Sequence, residues 1–103
     1  MKKTIPLTVQ TDKFEPGKIY IHPNDGYDLR LFSLNYQLPV FSNCSAEEFN
    51  TGEGDNEIFD IILSNDQPKG KIKMNHKFWE TLDKPNEVVV INNKDRLLVL
   101  KFS

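Results

Sequence analysis

The alternation of apolar and polar residues along this chain predicts short strands over most of its length. Ile5, Leu7 and Val9 alternate with Thr4, Pro6, Thr8 and Gln10. That period of two marks a strand with one buried face, and Pro6, which lacks a donor, suits a strand start or an edge. Glu15-Pro16-Gly17 predicts a turn, after which Ile19 and Ile21 share one face of a strand and Tyr20 takes the other. Pro23-Asn24-Asp25-Gly26 reads as a second turn, because Asp-Gly accepts positive φ and proline fixes the entry, so a hairpin is expected here. Beyond it Tyr27, Leu29 and Leu31 share a face before Phe32 and Leu34 take the other, which predicts a bulge or a change of sheet near Phe32. Gln37-Leu38-Pro39-Val40-Phe41 continues extended.

Ser45-Ala46-Glu47-Glu48 has the spacing of a capping box and predicts one helical turn carrying Phe49. Thr51 to Asn56 is an acidic loop with two glycines, the expected exposed tip. Ile58, Phe59, Ile61, Ile62 and Leu63 then form an apolar run bounded by polar clusters, the signature of a central strand. Lys71-Ile72-Lys73-Met74 is a short strand with its lysines away from the core, and Asn75 is an N-cap for a helix with Phe78 and Leu82 on one face, ended by Pro85. Glu87 to Asn92 and Arg96 to Phe102 predict a hairpin joined through Asn92-Asn93-Lys94-Asp95. Gly17-Lys18-Ile19 and Gly70-Lys71-Ile72 echo one another, but the residues that follow do not match, so the sequence gives no case for an internal repeat. The expected fold is mainly β, a small antiparallel barrel or sandwich of six to eight strands with one or two short helices. Residues 1–103 form one domain, within which 69–103 are a strand, helix and hairpin subunit.

Composition narrows the function more than the fold. With 103 residues and 38% hydrophobic content the chain can bury one core, so folding should need neither a metal nor a disulfide. Its apolar runs of four or five residues fall far short of the roughly 20 that cross a bilayer, and polar residues interrupt the first ten, so neither a membrane span nor a secretory leader is expected. Cys44, the single cysteine, suits a reducing cytoplasm, where the sequon Asn43-Cys44-Ser45 has no meaning. The net charge of −2 hides a segregation: residues 1–30 carry +1, residues 31–68 contain no Lys or Arg and carry −7, and residues 69–103 carry +4. Segregated charge steers partners and does not define a fold.

Gly70-Lys71-Ile72-Lys73-Met74, then Phe78 and Leu82, Glu87-Val88-Val89-Val90 and Arg96-Leu97-Leu98-Val99-Leu100-Lys101 together resemble the swapped-hairpin module of AbrB-like transition-state regulators and the related MraZ and MazE families. The resemblance covers about a third of the chain. It implies a homodimer in which two hairpins interdigitate into a barrel, and DNA contacts from Lys69, Lys71, Lys73 and Lys77, which would make binding strongly salt-dependent. Three features depart from the family: Asn75 stands where proline is usual, Trp79 and Glu80 where basic residues are frequent, and the module follows an acidic half.

Glu47, Glu48, Glu53, Asp55, Glu57 and Asp60 make the acidic segment a candidate surface for a basic partner, with Trp79 as a candidate anchor or a cap on the sheet. A Ca²⁺ loop would need alternating ligands and a terminal bidentate glutamate, which Glu53-Gly54-Asp55-Asn56-Glu57 lacks. Gln37-Leu38-Pro39-Val40-Phe41 resembles the peptide by which bacterial replication and repair proteins dock on the sliding clamp, a motif that works only in an accessible segment. Two histidines and one cysteine cannot fill a zinc site unaided, and no phosphate loop, nucleophile elbow or metalloprotease helix is present, so no catalytic residue, metal or cofactor is expected. Two functions remain. One is a non-enzymatic inhibitor or adaptor, of a kind frequent in phages and mobile elements, that binds another protein through its acidic surface. The other is a dimeric DNA-binding regulator.

Overall fold

The computed structural model describes residues 2–13 and 16–103. Eight strands and three short helices follow one another among these residues: β1 (Lys2–Lys3), β2 (Leu7–Asp12), β3 (Lys18–Ile21), α1 (Pro23–Asp28), β4 (Asn35–Phe41), α2 (Ala46–Thr51), β5 (Asn56–Leu63), β6 (Lys71–Asn75), α3 (His76–Thr81), β7 (Glu87–Asn93) and β8 (Arg96–Lys101). The strand order is β1-β7-β2-β6-β3-β5-β4-β8, and β8 returns to β7, so seven strands close a barrel, with β1 an extra strand that pairs with β7 further along the side that β2 occupies. Strands β2 and β6, β3 and β5, and β4 and β8 pair in parallel, while the other pairs are antiparallel. No helix among the described residues is long and apolar enough to cross a membrane.

Period-two patterning fills this barrel. Phe59, Ile61 and Leu63 of β5 point in while Ile58, 60% exposed, points out, and Val88 and Val90 of β7 alternate in the same way. The inward residues of all the barrel strands form one core, with Phe78 of α3 tilted against Phe59 at a ring distance of 4.8 Å. A smaller cluster of Phe41, Phe49 and Leu98 fixes α2 to the outside of the barrel.

The two halves have the same backbone plan. β2, β3, α1 and β4 recur as β5, β6, α3 and β7: the parallel pair β2 and β6 is matched by β5 and β3, and the antiparallel pair β2 and β7 by β5 and β4. At the centre β3 meets β6 antiparallel, with Tyr20 opposite Lys73. At one constant offset, Gly17 and Gly70 both take positive φ (88° and 76°), His22 and Asn75 both cap a helix by accepting from the N–H two residues on, and Arg30 and Asp83 both take φ near +60°. An asparagine side chain then ties down each helix end, Asn92 Nδ2 donating to Leu29 O and Asn43 Nδ2 to Thr81 O, each at 2.8 Å. The Gly-Lys-Ile echo, discounted in the sequence, marks the equivalent strands β3 and β6. It is faint because Pro-Asn-Asp-Gly-Tyr-Asp of α1 and His-Lys-Phe-Trp-Glu-Thr of α3 share a conformation without sharing a residue.

Residues 23–34 correct the expected hairpin. The Pro-Asn-Asp-Gly turn is the first turn of α1, with proline in its first positions and His22 Nδ1 accepting from Asn24 N at 3.0 Å. Leu29 and Leu31, read as alternate residues of a strand, are instead buried under the end of that helix, and strand structure resumes only at Asn35. Pro6 separates β1 from β2, so Ile5 is 60% exposed and does not share the buried face of Leu7. Of the turn expected at Glu15-Pro16-Gly17, Glu15 lies outside the described residues.

The register makes a direct prediction for stability. Phe59→Ala, inside the barrel, should cost about 3–5 kcal/mol in urea unfolding, whereas Ile58→Ala on the outer face should stay within about 0.5 kcal/mol. Equal effects would place β5 in the wrong register.

Candidate functional site

The acidic segment is built by local rules that turn its carboxylates outward. Ser45 Oγ accepts from Glu48 N at 3.1 Å and Glu48 Oε1 accepts from Ser45 N at 2.9 Å, so the capping box forms and holds α2 at its start. Phe49, buried edge-on against Phe41 at 5.4 Å, fixes which face of α2 points in. The helix stops at Gly52 in the left-handed region (φ 79°), where a Cβ would run into the Arg96 guanidinium. Gly54 is pressed so closely on Cys44 that a Cβ would lie 2.8 Å from its sulfur. Glu53 and Asp55, which alternate with these glycines, are exposed, and Glu57 follows, also exposed, as the second residue of β5.

Glu47, Glu48, Glu53, Asp55 and Glu57 therefore occupy one corner of the molecule, and among the described residues none is in an ion pair. Arg96, the cation beside Gly52, donates instead to Asn50 O at 2.8 Å. Asp55 and Glu57 also rim a recess of about 190 Å³ with Ser42, Val40, Phe78 and Thr81. The field of the corner reaches Cys44: burial first, then Glu48 and Asp55, push its thiol above the ordinary value. The helix start at Ser45 does not lower it. The Glu48 carboxyl titrates below the usual range because the backbone N–H of Ser45, and then its hydroxyl, bond to the charged form.

Asp60 and Trp79 do not join this corner. Asp60 lies on the outer wall, half-buried, accepting from Gln37 Nε2 at 3.1 Å. Trp79 is half-buried against the core and donates its Nε1–H to Pro85 O at 2.8 Å, so its indole caps the barrel. Leu38, Val40 and Phe41 of the sliding-clamp-like motif are buried in the wall between β5 and β8. Lys71 and Lys73 project from the outer face of β6, Lys69 precedes them in the loop, and Lys77 lies in the first turn of α3, with Lys73 Nζ 5.2 Å from the centre of the Tyr20 ring. His22 caps α1, and His76 packs on Trp79 at 5.0 Å and faces Glu80 at 3.8 Å.

No family model, curated protein or solved structure matches this chain. Among the described residues no group of three His, Cys, Asp or Glu could hold a metal ion. The structure also presents a surface that the pattern of residues had assigned to a strand: Tyr27, Phe32 and Leu34 are 59–75% exposed around the end of α1. The signal available was the break of period at Phe32 and Leu34; Tyr27 falls in period with buried Leu29 and Leu31 and gave none.

Two outcomes follow from the perturbed groups. Cys44, its thiolate disfavoured, should react with iodoacetamide at pH 7.5 more slowly in the folded chain than in urea; equal rates would contradict its environment. A depressed Glu48 pKa contributes stability that is present above the unfolded value of about 4.3 and is lost as pH falls through the lower folded value. Urea midpoints measured from pH 6 to pH 2 should thus fall less steeply for Glu48→Gln than for the parent.

Proposed function

We propose that this protein is a non-catalytic binding module, acting in the cytoplasm as an inhibitor or adaptor, that engages a basic surface of another protein through the carboxylates of α2 and residues 53–57. The observation that carries this reading is a corner of five exposed carboxylates without an ion pair among the described residues, in a stretch of 38 residues without a Lys or Arg. Unpaired like charges on one corner raise the local potential and destabilise the isolated fold slightly. A cationic partner relieves that repulsion and is steered to the site, with association rates that fall as salt rises. The anchoring of α2 through Phe49 and its capping box keeps the carboxylates in place before binding, which limits the entropy lost on association.

A second reading has its own support. Lys71 and Lys73 follow one another on the outer face of β6, with Lys69 in the turn before it, and alternate residues on one face of a strand lie about 6.6 Å apart, close to the spacing of phosphates. This is the surface from which the AbrB-like resemblance implies DNA contacts. In this chain, however, β2, β3 and β4 complete the barrel that the family is expected to build from a second copy, so DNA binding here would not require the homodimer.

Affinity capture at low salt, with and without nuclease, separates the two. A discrete protein retained after nuclease treatment, and lost when Glu53, Asp55 and Glu57 are all replaced by lysine, is the expected result, with affinity reduced about tenfold or more. Recovery of nucleic acid alone, released by a few hundred millimolar salt and lost when Lys71 and Lys73 become glutamate, would overturn the acidic reading in favour of the second.

A further inference from the structure

The acidic corner leaves unexplained the apolar surface around α1. Of seven large hydrophobic side chains with substantial exposure among the described residues, five (Ile5, Tyr27, Phe32, Leu34 and Phe102) border three adjoining recesses. The first, about 310 Å³, lies between Tyr27, Phe32 and Leu34 over buried Leu31 and Leu63. Tyr27 is shared with the second, about 260 Å³, which contains Lys2, Lys3, Asp28 and Arg30. Lys3 and Asp28 are shared in turn with the third, about 450 Å³, lined by Ile5, Pro6, Val89 and Phe102. The three make one trough, apolar at both ends and cationic in the middle, where three cations face one carboxylate.

The trough is held ready. Tyr36 Oη accepts from Phe32 N at 2.7 Å and from Ser33 N at 2.9 Å, and these bonds, the Ser33 backbone first, lower the Tyr36 pKa. Phe32 meets Tyr27 edge-on at 5.6 Å, and the Arg30 guanidinium stands 5.8 Å from the Tyr27 ring centre. Rings fixed in this way lose little freedom on binding, the property of an interface anchor. The middle of the trough also borders β1, which has a single neighbour, β7, in a sheet that is otherwise closed. An extended chain can pair with such an edge.

We propose that this trough binds an extended segment of another protein in which two apolar side chains flank one or more carboxylates. The apolar side chains fill the Tyr27–Phe32–Leu34 and Ile5–Phe102 ends, and the carboxylates meet Lys2, Lys3 and Arg30. Charge complementarity selects this occupant: an apolar segment without carboxylates leaves the cations desolvated and unpaired, and a basic one is repelled. The site is independent of the acidic corner. The Tyr27 recess is at the Leu63 end of β5 and Glu57 is at its start, six residues and about 20 Å away.

The test is selection from a random dodecapeptide display library on the intact chain, followed by fluorescence anisotropy with the labelled consensus peptide. An apolar, acidic, apolar consensus is expected, with Kd raised about tenfold or more by Phe32→Ala and by Lys3→Glu and changed within about twofold by Glu53→Lys. Phe32 is exposed, so its variant should fold, and Lys3→Glu is a second probe that removes no packed group. No consensus, a basic consensus, or one insensitive to both substitutions overturns the proposal. So does binding of labelled oligothymidine with the same sensitivity, which would make the rings a stacking platform for single strands, or sedimentation of the free chain as a dimer that Phe32→Ala disperses.

Discussion

The antiparallel pairing of β3 with β6 is the contact on which the rest of the molecule depends. It joins the two halves at their centre, Ile19 against Met74 and Ile21 against Ile72, with all four side chains buried. Each of these strands takes its second neighbour, in parallel, from the opposite half, β6 beside β2 and β3 beside β5. The halves are therefore interleaved, and neither can fill its own interior alone. Closure through β8 then removes every barrel edge, which leaves the loops and helices to differ between the halves without exposing strands.

That interleaving places the distinctive surfaces. α3 covers the start of β5 with Phe78 and lies beside Asp55 and Glu57, whereas α1 lies at the other end of β5, where Gly26 packs on Leu63. The connection between the halves carries α2 and most of the acidic corner, a segment with no counterpart elsewhere in the repeated plan, with Glu57 following in β5. The trough joins parts outside the repeat, β1 and the residue after β8, to α1 of the first half. The repeated strands are the scaffold, and the candidate surfaces form where other segments join it or where its two helices differ in sequence.

Strands were legible in the sequence wherever burial alternated, as in β5 and β7, and α2 and α3 wherever a side-chain cap preceded an apolar residue at helical spacing. The first helix was not legible, because Asp-Gly after proline is equally good turn chemistry and the apolar residues that decide the matter, Leu29 and Leu31, fit either period over so short a stretch. The acidic residues could be grouped from their adjacency in the chain, but Asp60 could not be separated from them without knowing that β5 carries it along the wall to Gln37. Trp79 could not be assigned before its indole N–H was seen to reach Pro85. The trough was illegible for a plainer reason: its cations come from β1 and the end of α1, far apart in sequence and adjacent only after folding.

In the proposed function a rigid barrel presents its acidic corner to a cationic partner. Hydrogen exchange of the chain with and without a captured protein partner tests this most directly. Slowed exchange confined to residues 46–57, with β3 and β6 equally protected in both states, is the predicted result. Slowing confined to residues 69–77, with the acidic segment unchanged, would contradict it.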